Sequence, residues 1–173
     1  AAADLDGDGD QDLVVGFAEG SAVRVFRNEG TRFVEAAPQL GSAEEHSALV
    51  PADLDRDGRL DLLVAALSYP GDCPGNVVNG CPAGVRAYRQ VEAWRFEPIR
   101  VDAPACRAQA IALADWDGDG QDDVLVGTDY GMFFGGDMVL RPGVAPGGGL
   151  TLGNVTAGSG FNHEIFTMGI GAI

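Results

Sequence analysis

The chain has 173 residues, room for one ordinary domain with a sizeable core and too little for two large ones. Acidic residues outnumber basic ones 26 to 11, and the net charge of −15 argues against nucleic acid or an anionic lipid surface as a partner. Apolar residues make up 46%, so this is no disordered acidic tail, and the 26 glycines, without a three-residue period, point to many tight turns and an all-β fold. No apolar run approaches the roughly 18 residues of a membrane helix, so no membrane insertion is expected. The chain starts without Met, which predicts a processed product or a piece of a longer protein.

Three segments repeat almost position for position: Ala3–Gly16, Ala52–Ala65 and Ala114–Gly127. Their first aspartates, Asp4, Asp53 and Asp115, lie 49 and 62 residues apart, a spacing that suits one four-stranded propeller blade with loop insertions. In the first period the strand before the acidic loop is nearly missing, and Ala22–Arg27 and Arg32–Ala36 read as outer strands. The second period is complete. Ser47–Ala52 leads into the loop and Asp61–Leu67 leaves it as a continuous apolar strand; after a Gly/Pro/Cys-rich insertion, Ser68–Ala83, come Val85–Gln90 and Trp94–Val101. The third period is glycine-rich over Gly131–Gly149, with Met138–Arg141 and Leu150–Thr156 as its outer strands. The chain closes on Ile165–Ile173, which resembles the strand that precedes each acidic loop.

The expected fold is therefore all-β: four-stranded antiparallel blades with loop-bearing hairpins. The periods run over about 1–41, 42–103 and 104–160, and 161–173 is the first strand of a further blade. Propellers close with four to eight blades, so three periods predict part of a larger ring, or open edges that pair with another chain.

Each loop places Asp at positions 1, 3, 5 and 9 and Gly at position 6. The residues are Asp4, Asp6, Asp8, Gly9 and Asp12; Asp53, Asp55, Asp57, Gly58 and Asp61; and Asp115, Asp117, Asp119, Gly120 and Asp123. With Asp10 and Asp122, the loops hold 14 of the 18 aspartates. Four carboxylates in one nine-residue turn repel each other strongly, and a hard dication relieves that repulsion. Alternate spacing sends side chains 1, 3 and 5 to one side, glycine at 6 permits the bend that returns position 9, and position 7 (Asp10, Arg59, Gln121) offers its carbonyl. An all-oxygen donor set selects calcium over zinc or copper, and magnesium demands tighter octahedral geometry. One Ca2+ per loop, three in all, is expected. An EF-hand needs a carboxylate at position 12 and an exiting helix; here position 12 is Val15, Val64 and Val126, each inside an apolar β-branched run. The competing view of each loop is a solvated acidic turn.

The motif Asp-x-Asp-x-Asp-Gly-x-x-Asp followed by an apolar strand resembles the FG-GAP/VCBS repeat found in integrin α-subunit propellers and many bacterial secreted proteins. Together with the run Met168–Ile173, the Asp-Leu-Asp-Gly-Asp-Gly loops are most similar to cartilage acidic protein and related bacterial VCBS-repeat proteins. The resemblance implies a calcium ion in the hairpin between the first two strands of a blade, on the aspartates named above. The second loop departs from the pattern. It has Arg56 and Arg59 where the others have Gly7, Asp10, Gly118 and Gln121, which predicts weaker binding there. At about 1 mM extracellular calcium and a Kd of about 0.1 mM, each ion adds about 1.4 kcal/mol, whereas cytosolic calcium leaves such loops empty. An extracellular, cell-surface or periplasmic location is expected.

Other residues carry weaker signals. Cys73 and Cys81 bracket the insertion and suit a disulfide in an oxidising compartment, with reduced thiols as the alternative; Cys106 is left over. His46 and His163 stand beside Glu45 and Glu164, but no nucleophile motif accompanies them, and Ser21, Ser42, Ser47, Ser68 and Ser159 lack an elbow context. Asn154-Val-Thr156 matches a glycosylation sequon. Trp94, Trp116, Phe133 and Phe134 suit packing between blades better than sugar stacking. The expected function is a non-enzymatic interaction or adhesion module that binds another protein or a glycan through its variable insertions. The alternatives are the propeller of a polysaccharide lyase or other carbohydrate-active enzyme, and a structural subunit of an extracellular assembly.

Overall fold

The computed structural model describes residues 1–17, 21–67, 84–102, 108–128 and 136–161. The insertion 68–83, the glycines at 131 and 135, Cys73, Cys81, Cys106, His163, Glu164, Phe133, Phe134 and the terminal run 165–173 lie outside the described residues.

The chain is all-β and propeller-like, built as three successive antiparallel meanders. The first contains β1 (Ala2–Ala3), β2 (Asp12–Val15), β3 (Ser21–Asn28) and β4 (Phe33–Glu35). The second contains β5 (Leu40–Ala52), β6 (Asp61–Leu67), β7 (Val85–Glu92) and β8 (Arg95–Val101). The third contains β9 (Ala108–Ala114), β10 (Asp123–Thr128), β11 (Met138–Val144) and β12 (Leu150–Asn154), followed by a single helical turn, α1 (Thr156–Ser159). In each blade the acidic loop joins the first strand to the second: β1 pairs β2, β5 pairs β6 and β9 pairs β10. Short edge pairings link the blades, Ser21 and Val23 of β3 with Glu44 and Leu40 of β5, and Thr151 and Leu152 of β12 in parallel with Arg100 and Val101 of β8.

The burial pattern explains why the second strand of a blade is apolar without alternation. All of β10, and all of β6 but its last residue, are buried because both faces of the strand meet other residues. In β6, Leu62 and Val64 pack with Val14, Val23 and Val25 of the first blade, while Leu63 and Ala65 pack with Val124, Val126 and Leu140 of the third. The outermost strand β4 is exposed throughout.

Several strand bounds differ from expectation, among them the end of β11, at Val144 instead of Arg141, and two of the differences have visible reasons. β5 begins at Leu40, seven residues before Ser47, because its start pairs with β3 before the strand crosses to β6. Gly41 permits that crossing: its φ is +77°, and a Cβ there would lie 2.7 Å from the Tyr88 hydroxyl of β7. β12 stops at Asn154, whose Oδ1 accepts the Thr156 amide at 3.1 Å and its hydroxyl at 2.7 Å, turning the chain into α1. The sequon asparagine is thereby engaged in a local turn.

Candidate metal centres

The three acidic loops repeat one hydrogen-bond scheme. The first aspartate is the hub: Asp4 accepts the amides of Gly7 (2.8 Å), Asp8 (3.1 Å) and Gly9 (3.0 Å), Asp53 those of Asp57 and Gly58 (both 3.0 Å), and Asp115 those of Gly118 and Gly120 (both 2.8 Å). The third and fifth aspartates each accept the amide two residues on, at 2.7–3.3 Å. Positions 4 and 6 both take positive φ. Glycine supplies this freely at five of the six places, but Arg56 adopts it with a side chain, at φ +60°.

This scheme brings Asp4, Asp6 and Asp8 together, and likewise Asp53, Asp55 and Asp57, and Asp115, Asp117 and Asp119, each trio offering carboxylate oxygens within 4.8 Å of one another. An all-carboxylate donor set of that size fits a hard cation such as calcium.

The ninth-position aspartates have a different place. Asp12 and Asp61 are fully buried and staple the loop to the blade: Asp12 accepts the amides of Leu5 and Asn28 (both 2.9 Å), and Asp61 those of Leu54 (3.1 Å) and Gln90 (2.8 Å). Asp123 is nearly as buried, and the Arg141 guanidinium holds it with Nε at 2.9 Å and Nη2 at 3.2 Å. At position 7 the amides of Asp10, Arg59 and Gln121 serve the fifth aspartate, and two of the side chains make further contacts. Arg59 contacts Asp57 and the Gln90 carbonyl, and Gln121 donates to the Leu54 carbonyl of the neighbouring loop at 2.8 Å. Gln90, buried between blades, donates to the Leu5 carbonyl of the first loop at 3.0 Å, so adjacent loops are tied to one another.

One set of residues was not recognised from sequence. Arg27, Arg89 and Arg141 occupy matching places in β3, β7 and β11, each directly after the residue that pairs with the position following the ninth aspartate (Leu13↔Phe26, Leu62↔Tyr88, Val124↔Leu140). Each guanidinium enters its acidic loop. Arg27 stands 3.4 Å from Asp6 and 3.5 Å from Asp8, Arg89 2.6 Å from Asp55 and 3.1 Å from Asp57, and Arg141 2.9 Å from Asp117. The signal was present as Phe-Arg-Asn, Tyr-Arg-Gln and Leu-Arg-Pro, but only register shows that these strands lie across from the loops.

Elsewhere, Trp94 packs on the cluster between the first two blades, and Trp116 meets Phe161 edge-on at 5.3 Å while donating to the Ser159 carbonyl at 3.0 Å. His46 places Nδ1 3.3 Å from the Phe17 amide, and the Ser47 hydroxyl donates to the Ala108 carbonyl at 2.6 Å.

Burial acts on staple and cluster carboxylates alike. Desolvation, reinforced by Asp55 and Asp57, outweighs the two amide bonds and pushes Asp61 up to about 6. Desolvation, with the neighbouring Asp8 charge, raises Asp6 as well. For Asp57 desolvation also pulls upward, but the Arg59 amide and the Arg89 and Arg59 charges outweigh it and hold the carboxyl below its usual value. Because the folded-state pKa of Asp61 exceeds its unfolded value of 3.8, its contribution to stability is complete below about pH 4 and is lost as pH rises through about 6. In chelator, unfolding monitored by urea titration is expected to show Asp61 contributing up to about 3 kcal/mol more at pH 4 than at pH 7, a component absent from D61A.

Residues 4–64, which span the first two acidic loops, match the family model of the FG-GAP-like repeat. The chain carries an FG-GAP-like repeat. The third loop, beyond the matched segment, shares with it the position-6 glycine amide on the first aspartate and the amides two residues on at the third and fifth. No curated protein matches the chain. Among the described residues no helix is long and apolar enough to cross a membrane.

Proposed function

We propose that this FG-GAP-repeat chain is a calcium-stabilised propeller segment that works outside the cytoplasm as a non-enzymatic recognition module for a protein or a glycan. The supporting observation is the threefold recurrence of one aspartate trio, with oxygens within 4.8 Å, at the same hairpin of three successive blades. Asp4, Asp6 and Asp8, with their counterparts in the other loops, would hold the ion, which supplies positive charge at the point where the carboxylates repel. The ninth-position aspartates and Gln90 keep the loops seated whether or not an ion is bound. Blades fixed in this way can carry divergent insertions at 68–83 and 131–149 without unravelling, and recognition is assigned to those insertions. The charge of −15 favours partners that are neutral, basic or bridged through calcium.

Thermal unfolding with 1 mM calcium and with chelator tests the metal assignment. Three sites of Kd about 0.1 mM would together stabilise the fold by about 4 kcal/mol, a rise in Tm of roughly 10 °C or more. A Tm that is the same in both buffers defeats the assignment. Turnover of an acidic polysaccharide by the purified chain would replace the recognition role with the enzymatic one.

A further inference from the structure

A cation already reaches into each acidic loop, and it belongs to the protein. The guanidinium groups of Arg27, Arg89 and Arg141 come from the third strand of each blade and contact the same trio of carboxylates that the calcium reading assigns to the ion. We propose that these arginines are tethered counterions that compete with calcium for the loop oxygens, and that the grip of each one ranks the three sites, with the second loop the weakest. The inference rests on the calcium reading above.

The ranking follows from contact and from what else each arginine does. Arg27 stays at 3.4–3.5 Å from Asp6 and Asp8, beside a loop that carries five aspartates and no arginine of its own. It yields readily, and the first loop is the tightest site. Arg89 sits at 2.6 Å from Asp55 and 3.1 Å from Asp57, and Arg59 also contacts Asp57, in a loop with only four aspartates. Two guanidinium groups must be displaced or shifted before an ion can take those oxygens, so the second loop binds last. Both of these arginines are free to leave in one respect: the buried Asp12 and Asp61 accept backbone amides and do not depend on them.

The third loop differs for a covalent reason. The residue matching Asn28 and Gln90 is Pro142, which has no amide hydrogen to give Asp123. Arg141 supplies the missing donors through Nε and Nη2 and also touches Asp117. It is pinned on Asp123 and gives up only its contact with Asp117, which places the third loop between the other two.

Calcium titration by calorimetry on wild type, R89Q, R89K and R95Q, each first checked for cooperative unfolding in chelator, is the test. In R89Q the weakest of the binding steps is expected to tighten by about five- to tenfold, in R89K by about two- to threefold, and in R95Q, which removes a guanidinium engaged with Glu92 and Glu97, not at all. The Tm of R89Q in chelator should fall, and the loss should vanish in saturating calcium. Unchanged or weaker binding by R89Q, with wild type binding calcium, overturns the competition and leaves the calcium reading standing. Should R89Q not fold in chelator, the R89K titration decides, and unchanged affinity there overturns the proposal. A wild type that unfolds cooperatively and binds no calcium overturns both.

Discussion

Asp61→Ala is expected to lower the free energy of unfolding by about 2–4 kcal/mol, seen as a fall in the urea midpoint with an unchanged slope. The carboxylate is fully buried, and its two oxygens are the acceptors for the Leu54 amide at 3.1 Å and the Gln90 amide at 2.8 Å. Alanine leaves both donors in a dry place, each costing about 1–3 kcal/mol, while relief from burying a carboxylate near Asp55 and Asp57 returns part of that. Much of Leu54 is also released: it is 1% exposed, packs between the second and third blades, and is positioned by the amide that Asp61 holds. The loss should persist in saturating calcium, because the staple lies beneath the trio. A cost below about 1 kcal/mol would contradict the staple role.

Arg141→Gln is expected to destabilise the chain by about 2–3 kcal/mol, again by chemical denaturation. Asp123 is 2% exposed, and the arginine meets both of its oxygens, at 2.9 and 3.2 Å, so removing the guanidinium strands a buried carboxylate. Breaking a buried pair costs up to about 3–5 kcal/mol, and the lower figure here allows for an arginine side chain that is one-third exposed to solvent. Pro142→Ala introduced into R141Q returns a backbone amide at the place where Asn28 and Gln90 have theirs, and should recover about 1 kcal/mol. If R141Q costs nothing, or P142A restores nothing, then the proline does not explain why this blade uses a side chain.

Much of the blade architecture was legible because its signals are local. The apolar runs of β6 and β10 and the turn glycines lie next to one another along the chain, and Asp61–Leu67 spans the same residues in the sequence reading and in the structure. The aspartate trios were legible for the same reason, since positions 1, 3 and 5 meet through amide bonds no more than five residues apart. The ninth aspartate was different. Sequence spacing places it as one more ligand, but burial beside Asn28, Gln90 and Arg141 gives Asp12, Asp61 and Asp123 a stapling task that depends on strands 16 to 29 residues away.

By itself the sequence determined that this chain builds β blades with carboxylate-rich turns, because side-chain alternation, glycine placement and charge repulsion act between neighbours. Only the tertiary structure decided which carboxylates face outward together and which are sealed beneath, that Gln90 and Gln121 lock each loop to the next, and that an arginine enters every acidic turn. Those outcomes rest on strand register and on which face of a blade meets its neighbour. Both depend on which residues of separate strands come to lie opposite one another, and the spacing within one loop does not display that.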